Sequence, residues 1–293
     1  MNAIPEGSTV YMDVTHGFRS LPIVTLLALA YLRSVRGVKL AGVLYGAFEA
    51  GQAITPVFDL TPFVSLLDWA SAAERFIDTG DARKMTRLLA GQPNLEAVAA
   101  PLAQLSGALA FQRPVEASRA ARALRKQIKK VPLAKLPMEQ GQFALALEHI
   151  EQRFEGIAHG QDAHHSDPVR VLKGQYRQIQ FYVRGGQYAQ AVELMYEWLI
   201  SVRFWGLEES HIWTRTARQK TPPLSRITGK PEWSSYSSVW TEINQLRNRF
   251  AHFNEFERNL DEVLTPHRQL ENDIQALISR LPAAVRPLGL ELD

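Results

Sequence analysis

Residues 247–252 read Arg-Asn-Arg-Phe-Ala-His within a stretch of helical spacing. At about 100° per residue, Asn248 and His252 share a helix face, whereas Arg247 stands about 140° from His252 and must bend its long side chain to reach it. Cleavage of RNA without a metal needs two things: a group that handles the proton of the attacking 2′-hydroxyl or of the leaving oxygen, and a cation that stabilises charge on the phosphate. A histidine, with an unperturbed pKa of about 6.5, suits the first task. An arginine fork suits the second, with Asn248 orienting one of them. One helix supplies half of such a site, and two copies crossing in a homodimer would bring two arginines and two histidines together. The same residue types also sit on solvated helix faces and at helix caps, so the pattern by itself leaves both readings open.

A second group of reactive side chains follows a run of β-branched and aromatic residues, where Asp13-Val14-Thr15-His16-Gly17-Phe18-Arg19 opens into an apolar helix-like segment. Doubly wound proteins bind ligands at this place, outside the carboxyl ends of their strands. Gly17 lets the backbone approach closely, and the amides of the helix start can face a phosphate. Thr15, His16 and Arg19 are then candidate ligand contacts. Tyr45 and Gly46 hold the equivalent place after the next strand, and Glu49 suits a base edge or an orienting role better than a phosphate. The competing reading makes Asp13 and Thr15 helix-capping groups, His16 a turn histidine and Arg19 a surface charge.

The elements that must position these groups follow from periodicity. Residues 8–14, 38–45 and 55–59 read as strands, and the apolar run from Phe18 to Ser34 as a buried helix, which predicts a βαβ unit with a parallel sheet. Two or three strands are fewer than a doubly wound sheet uses, so the α/β part is expected to be incomplete. From about residue 62 the strand signals stop. Helices are predicted over 62–79, 82–89, 95–110, 115–130, 137–157, 168–184, 187–206, 233–257 and 261–281, with a long Pro- and Gly-containing loop at 207–231.

Composition sets the outer bounds. The 293 residues are 46% hydrophobic and 22% charged, values usual for a globular chain, and the net charge of +3 with a pI near 9.1 permits a polyanionic partner without requiring one. No cysteine is present, which excludes disulfides, thiolate metal sites and cysteine nucleophiles. The longest apolar run, Leu21 to Leu32, is too short to span a bilayer, and a cytoplasmic location is expected. Eight basic residues from Arg113 to Lys135 stand against the single acid Glu116 and would suit either an RNA backbone or a solvated face. His159, His164 and His165 read as a polar loop, with no metal expected. Tyr196, Trp198, Trp205 and Trp213 read as core or interface aromatics.

Several of these segments resemble a known family. Arg247-Asn248-x-x-x-His252 resembles the signature of HEPN ribonucleases, and the hairpin from Gln178 to Trp205, with Gly186-x-Tyr188-x-x-Ala191, resembles the helical pair preceding it. Asp13-Val14-Thr15-His16-Gly17-Phe18-Arg19-Ser20-Leu21-Pro22 closely resembles the sensor motif of CRISPR-associated CARF-HEPN proteins. Tyr45-Gly46-Ala47-Phe48-Glu49 and Asp59-Leu60-Thr61-x-Phe63 resemble the pattern that follows it. The resemblance implies α/β plus all-α architecture. Residues 1–68 would be the C-terminal half of a Rossmann-like CARF sensor, with the N-terminal half lacking, 69–158 a helical connecting region and 159–293 a HEPN-like domain. It further implies a metal-independent endoribonuclease without cofactor, cutting single-stranded RNA as a homodimer or higher oligomer in CRISPR type III antiviral defence. Arg247, Asn248 and His252 would be catalytic. Thr15, His16, Gly17, Arg19, Tyr45 and Gly46 would bind the activator, a cyclic oligoadenylate, with cyclic tetra-adenylate first and the hexa-adenylate second. The rival expectation is a truncated, non-sensing RNA-binding or assembly subunit with an idle nuclease.

Overall fold

A computed structural model of the chain describes residues 4–15, 20–48, 51, 54–132, 136, 138–158, 167–209, 223–251 and 267–292. Among them the chain is mostly helical with one small sheet, and no helix is long and apolar enough to cross a membrane. Two compact units result, Met1–Ala73 with Pro132–Ala146, and Glu74–Val131 with Leu147–Asp293.

In the first unit, β1 (Thr9–Asp13), α1 (Ser20–Arg36) and β2 (Lys39–Gly46) form the expected βαβ unit, with β1 and β2 parallel. The third strand, β3 (Val57–Asp59), corrects the expectation of a parallel sheet, because it runs antiparallel to β2 in the order β1-β2-β3. The connection explains the reversal: residues 47–56 are too few for the crossover of a dozen or more that a parallel return needs. Met12 and Val43 point to one face of the sheet and bury against Leu29 of α1 and Val64 of α2 (Thr61–Thr79). A 2.6 Å ion pair between Arg33 and Asp68 ties α1 to α2.

The second unit is a set of antiparallel helical hairpins. α3 (Arg83–Leu89) leads into α4 (Glu96–Ala110) and α5 (Pro114–Ile128). Leu102, Leu105 and Leu109 of α4 and Leu124 and Ile128 of α5 are buried, and Ala117, Ala120 and Ala121 keep the inner face of α5 narrow. α6 (Met138–Glu155) contributes its second half to this unit. α7 (Pro168–Arg184) starts with proline in its first turn, where the missing N–H costs nothing, and the Asp167 carboxylate accepts the Arg170 amide at 3.0 Å. α8 (Tyr188–Gly206), α9 (Ser234–Ala251) and α10 (His267–Val285) complete it. Trp198 of α8 is wholly buried, as expected of a core aromatic, and its indole N–H donates to the Leu172 carbonyl at 2.9 Å. Within the expected loop at 207–231, residues 224–226 form a short 3-10 turn, and Ile227 beside it is buried.

Candidate functional site

Tyr236, Val239, Trp240, Ile243 and Leu246 recur at helical spacing and give α9 one buried face. Arg247 follows Leu246 at the margin of that face. Its side chain is 36% exposed, its Nε lies 3.4 Å from Oε1 of Glu193, and its guanidinium carbon stands 5.2 Å from the centre of the Tyr196 ring. Glu193 and Tyr196 are three residues apart on α8 and so project side by side. Tyr196 stacks on Trp240 at 5.0 Å. The cation is thus gripped by a carboxylate and by the negative face of a ring that is itself braced. Its Nε is buried and makes no hydrogen bond, so Glu193 holds the group as an ion pair.

The braces continue along the same pair of helices. Arg203, 3% exposed, lies 4.1 Å above the Trp240 ring and donates from Nε to the Tyr236 hydroxyl at 3.1 Å. That hydroxyl donates in turn to the Leu199 carbonyl at 2.8 Å. Burial pushes the Tyr236 phenol up to about 12, with the Arg203 charge opposing, so the hydroxyl keeps the proton it donates. This buried chain of Arg203, Tyr236 and the Leu199 carbonyl ties α8 to α9, and with it the place of Arg247. Asn248 is half-buried beside Arg247. His252 lies outside the described residues.

At the strand ends, the sequence pattern hid a repeated device. The Asp13 carboxylate accepts the Thr15 amide at 2.8 Å, and the Thr15 hydroxyl oxygen accepts the Gly46 amide at 2.7 Å. The Asp59 carboxylate accepts the Thr61 amide at 2.8 Å and the Thr61 hydroxyl, and the Thr61 oxygen accepts the Val43 amide at 2.9 Å. Asp-x-Thr after a strand is used twice, each time to tie a chain turn to β2. The Thr61 hydroxyl, and then its amide, hold the Asp59 carboxyl below the usual carboxylate range. A Cβ at position 46 would stand 3.1 Å from Cγ2 of Thr15, so glycine permits the close approach. Thr15 and Gly46 are therefore together, and the bond between them is structural. Tyr45, half-buried, pairs with Phe58 across the β2–β3 ladder. His16, Gly17, Arg19 and Glu49 lie outside the described residues, as do His159, His164, His165 and Trp213. Among the described residues no His, Asp and Glu side chains gather in a group of three that could hold a metal ion.

Residues 65–159 match the family model described as the second domain of CRISPR-associated protein MJ1674. CRISPR-associated protein MJ1674 of Methanocaldococcus jannaschii is 31% identical to this chain over 91 residues. Both similarities point to CRISPR-associated proteins. The aligned stretch covers 30% of this chain and 14% of that relative's length. The family match begins inside α2 and runs through α3, α4, α5 and α6, so the Arg247 site and the Thr15–Gly46 pair lie outside it. Inside it, Arg83 and Arg75 converge on Asp81 at 2.6 and 2.7 Å, and the hydrogen bonds from Arg83 in particular hold that carboxyl well below the usual range. Two arginines flanking an aspartate carry no distinctive spacing, so this cluster does not stand out in the sequence.

Proposed function

We propose that the chain is a HEPN-type, metal-independent endoribonuclease that cuts single-stranded RNA in CRISPR type III antiviral defence and acts as a homodimer. The observation that carries this reading is Arg247, part-exposed and held at the margin of α9 by Glu193 and Tyr196, in the motif Arg247-Asn248-x-x-x-His252. The similarity of residues 65–159 to a CRISPR-associated protein supports the biological setting. In the reaction, the 2′-oxygen attacks the adjacent phosphorus and the bond to the 5′-oxygen breaks. His252 moves the proton, Arg247 stabilises the charge that builds on the phosphate, and Asn248 orients one of them. A second copy completes the site with its own arginine and histidine.

The proposed activator is a cyclic oligoadenylate, cyclic tetra-adenylate first, bound by Thr15, His16, Gly17, Arg19, Tyr45 and Gly46. The hydroxyl of Thr15 accepts from Gly46 and retains its own proton to donate to a ligand. The same bond favours a second reading, in which Thr15 is a purely structural clamp and the chain is a non-sensing RNA-binding or assembly subunit. Incubating the purified chain with end-labelled RNA, with and without cyclic tetra-adenylate, separates the two. Cleavage that rises with the activator is expected. Cleavage indifferent to it would remove the sensing half of the proposal, and intact RNA under both conditions would favour the binding subunit.

A further inference from the structure

Arg170, Arg177 and Arg184 recur at seven-residue intervals on α7. A heptad drifts by about 20° on a straight helix, so the three guanidinium-bearing positions form one stripe along about 21 Å of axis. Val171, Leu172, Gln175, Ile179 and Tyr182 are buried on the other face, Gly174 and Phe181 are buried beside the stripe, and the sequence of α7 contains no aspartate or glutamate.

Two cavities of the same unit open onto this stripe. The first, about 600 Å³, is lined by Arg170 together with Arg122, Arg125, Lys126 and Lys129 of α5. Its counter-charges are Glu151 and Glu155, which engage Arg125 at 2.9 and 2.5 Å, and Glu151 lies 3.8 Å from Lys129. Among the described residues no aromatic ring lines it. The second, about 540 Å³, is lined by Arg177 and Arg184 with Arg153 and His149 of α6. Here the Arg153 guanidinium is pushed below its ordinary range by burial and then by the Arg184 charge, with Asp78 opposing, and its buried Nε has no hydrogen bond. Gly156 leaves the room that the Arg177 guanidinium fills, at the wall of the second cavity. Grooves lined by one sign of charge focus the field toward a polyanion.

We propose that this row of cations on α7, extended by α5 at one end and by Arg153 at the other, is a track for the phosphate backbone of single-stranded nucleic acid. It goes beyond cleavage, being carried by helices other than the one that bears Arg247. Contacts to phosphate set position and affinity without reading sequence, which suits cavities lined by guanidinium and ammonium groups.

The purified chain is titrated into fluorescently labelled oligodeoxythymidine and oligouridine at several salt concentrations, and binding is followed by anisotropy. The deoxy probe has no 2′-hydroxyl and reports binding whether or not the chain cuts RNA, while shortening of the uridine probe reports the nuclease separately. The wild type is expected to bind both. Arg170→Glu with Arg177→Glu and Arg184→Glu should weaken both by about tenfold or more, and the dependence of log K on log salt should become shallower by about 0.7 for each phosphate that is no longer neutralised. Because Arg177 packs over Gly156, the surface variant Arg122→Gln with Lys126→Gln and Lys129→Gln probes the track at positions that tolerate change, and it should move affinity and slope in the same direction. Arg87→Glu with Lys230→Glu and Arg286→Glu makes the same charge change away from the stripe and should leave the slope as in the wild type. Equal weakening by that control, or no binding of either probe by the wild type, overturns the track, and so does binding of the uridine probe alone.

Discussion

In the helical unit Phe76, Leu102, Trp198 and Ile243 are wholly buried, whereas in the α/β unit Tyr11, Ile23, Leu27 and Val57 are more than half exposed. The difference lies in the number of layers. Each hairpin of the helical unit presses its apolar stripe against another. The sheet carries α1 on the face of Met12 and Val43, while Tyr11, Leu44 and Val57, which register and the two-residue period place on the opposite face, remain open. α1 shows the same contrast around its own axis, with Leu29 buried and Ile23, Leu27, Tyr31 and Val35 exposed in a row. A parallel sheet is ordinarily covered on both faces, so the α/β unit holds its shape with less hydrophobic burial and leans on polar clamps at the strand ends.

The largest expected effect tests the burial itself. Trp198→Ala should cost about 3–5 kcal/mol in urea unfolding, through the lost ring and its cavity. Leu27→Ala, measured where the chain is monomeric, should stay within about 0.5 kcal/mol. A Leu27 cost as large as that of Trp198 would break the comparison. Next come the clamps. Thr15→Val and Thr61→Val each remove the acceptor of a β2 amide and should each destabilise the α/β unit by about 1–3 kcal/mol. They should leave the melting of the helical unit unchanged, and hydrogen exchange at Gly46 and Val43 would check the assignment directly.

The smallest effects concern acid. Asp59 in one unit and Glu242 in the other are both held below their ordinary values, Asp59 by Thr61 and Glu242 chiefly by its hydrogen bonds from Arg280. A depressed folded-state value stabilises above the unfolded value, about 3.9 for Asp and 4.3 for Glu, and the gain is lost as pH falls through the folded one. These groups should therefore leave stability flat between about pH 7 and 5, with a decline only below about pH 4. Both are solvent-facing, so the decline should be modest. Glu242→Gln should remove its share from the helical unit alone, as followed by acid titration of each unit's unfolding.

Much of this architecture was legible because hydrophobic period survives without tertiary information. The run from Leu21 to Leu32 between two β-rich stretches announced β1, α1 and β2, and the hairpin around Gly185-Gly186 announced α7 and α8. The direction of β3 was not legible in Val57-Phe58-Asp59, whose residue types say nothing about orientation. The length of 47–56 carried that information. For the candidate site, the motif at Arg247 could be read along one helix, but Glu193 and Tyr196 reach it from α8, and no local pattern joins positions so far apart in the chain. The two Asp-x-Thr clamps stood in the sequence as separate motifs. Their likeness emerged once each threonine was seen to accept an amide from β2.

Cleavage of labelled RNA by Arg247→Ala and His252→Ala proteins, compared with the wild type at matched thermal stability, tests the central claim most directly. Loss of about 10²-fold or more in rate for each variant is expected, since each removes a group that acts on the reacting phosphate or its protons. Wild-type rates in both variants would contradict the assignment of the chemistry to the end of α9.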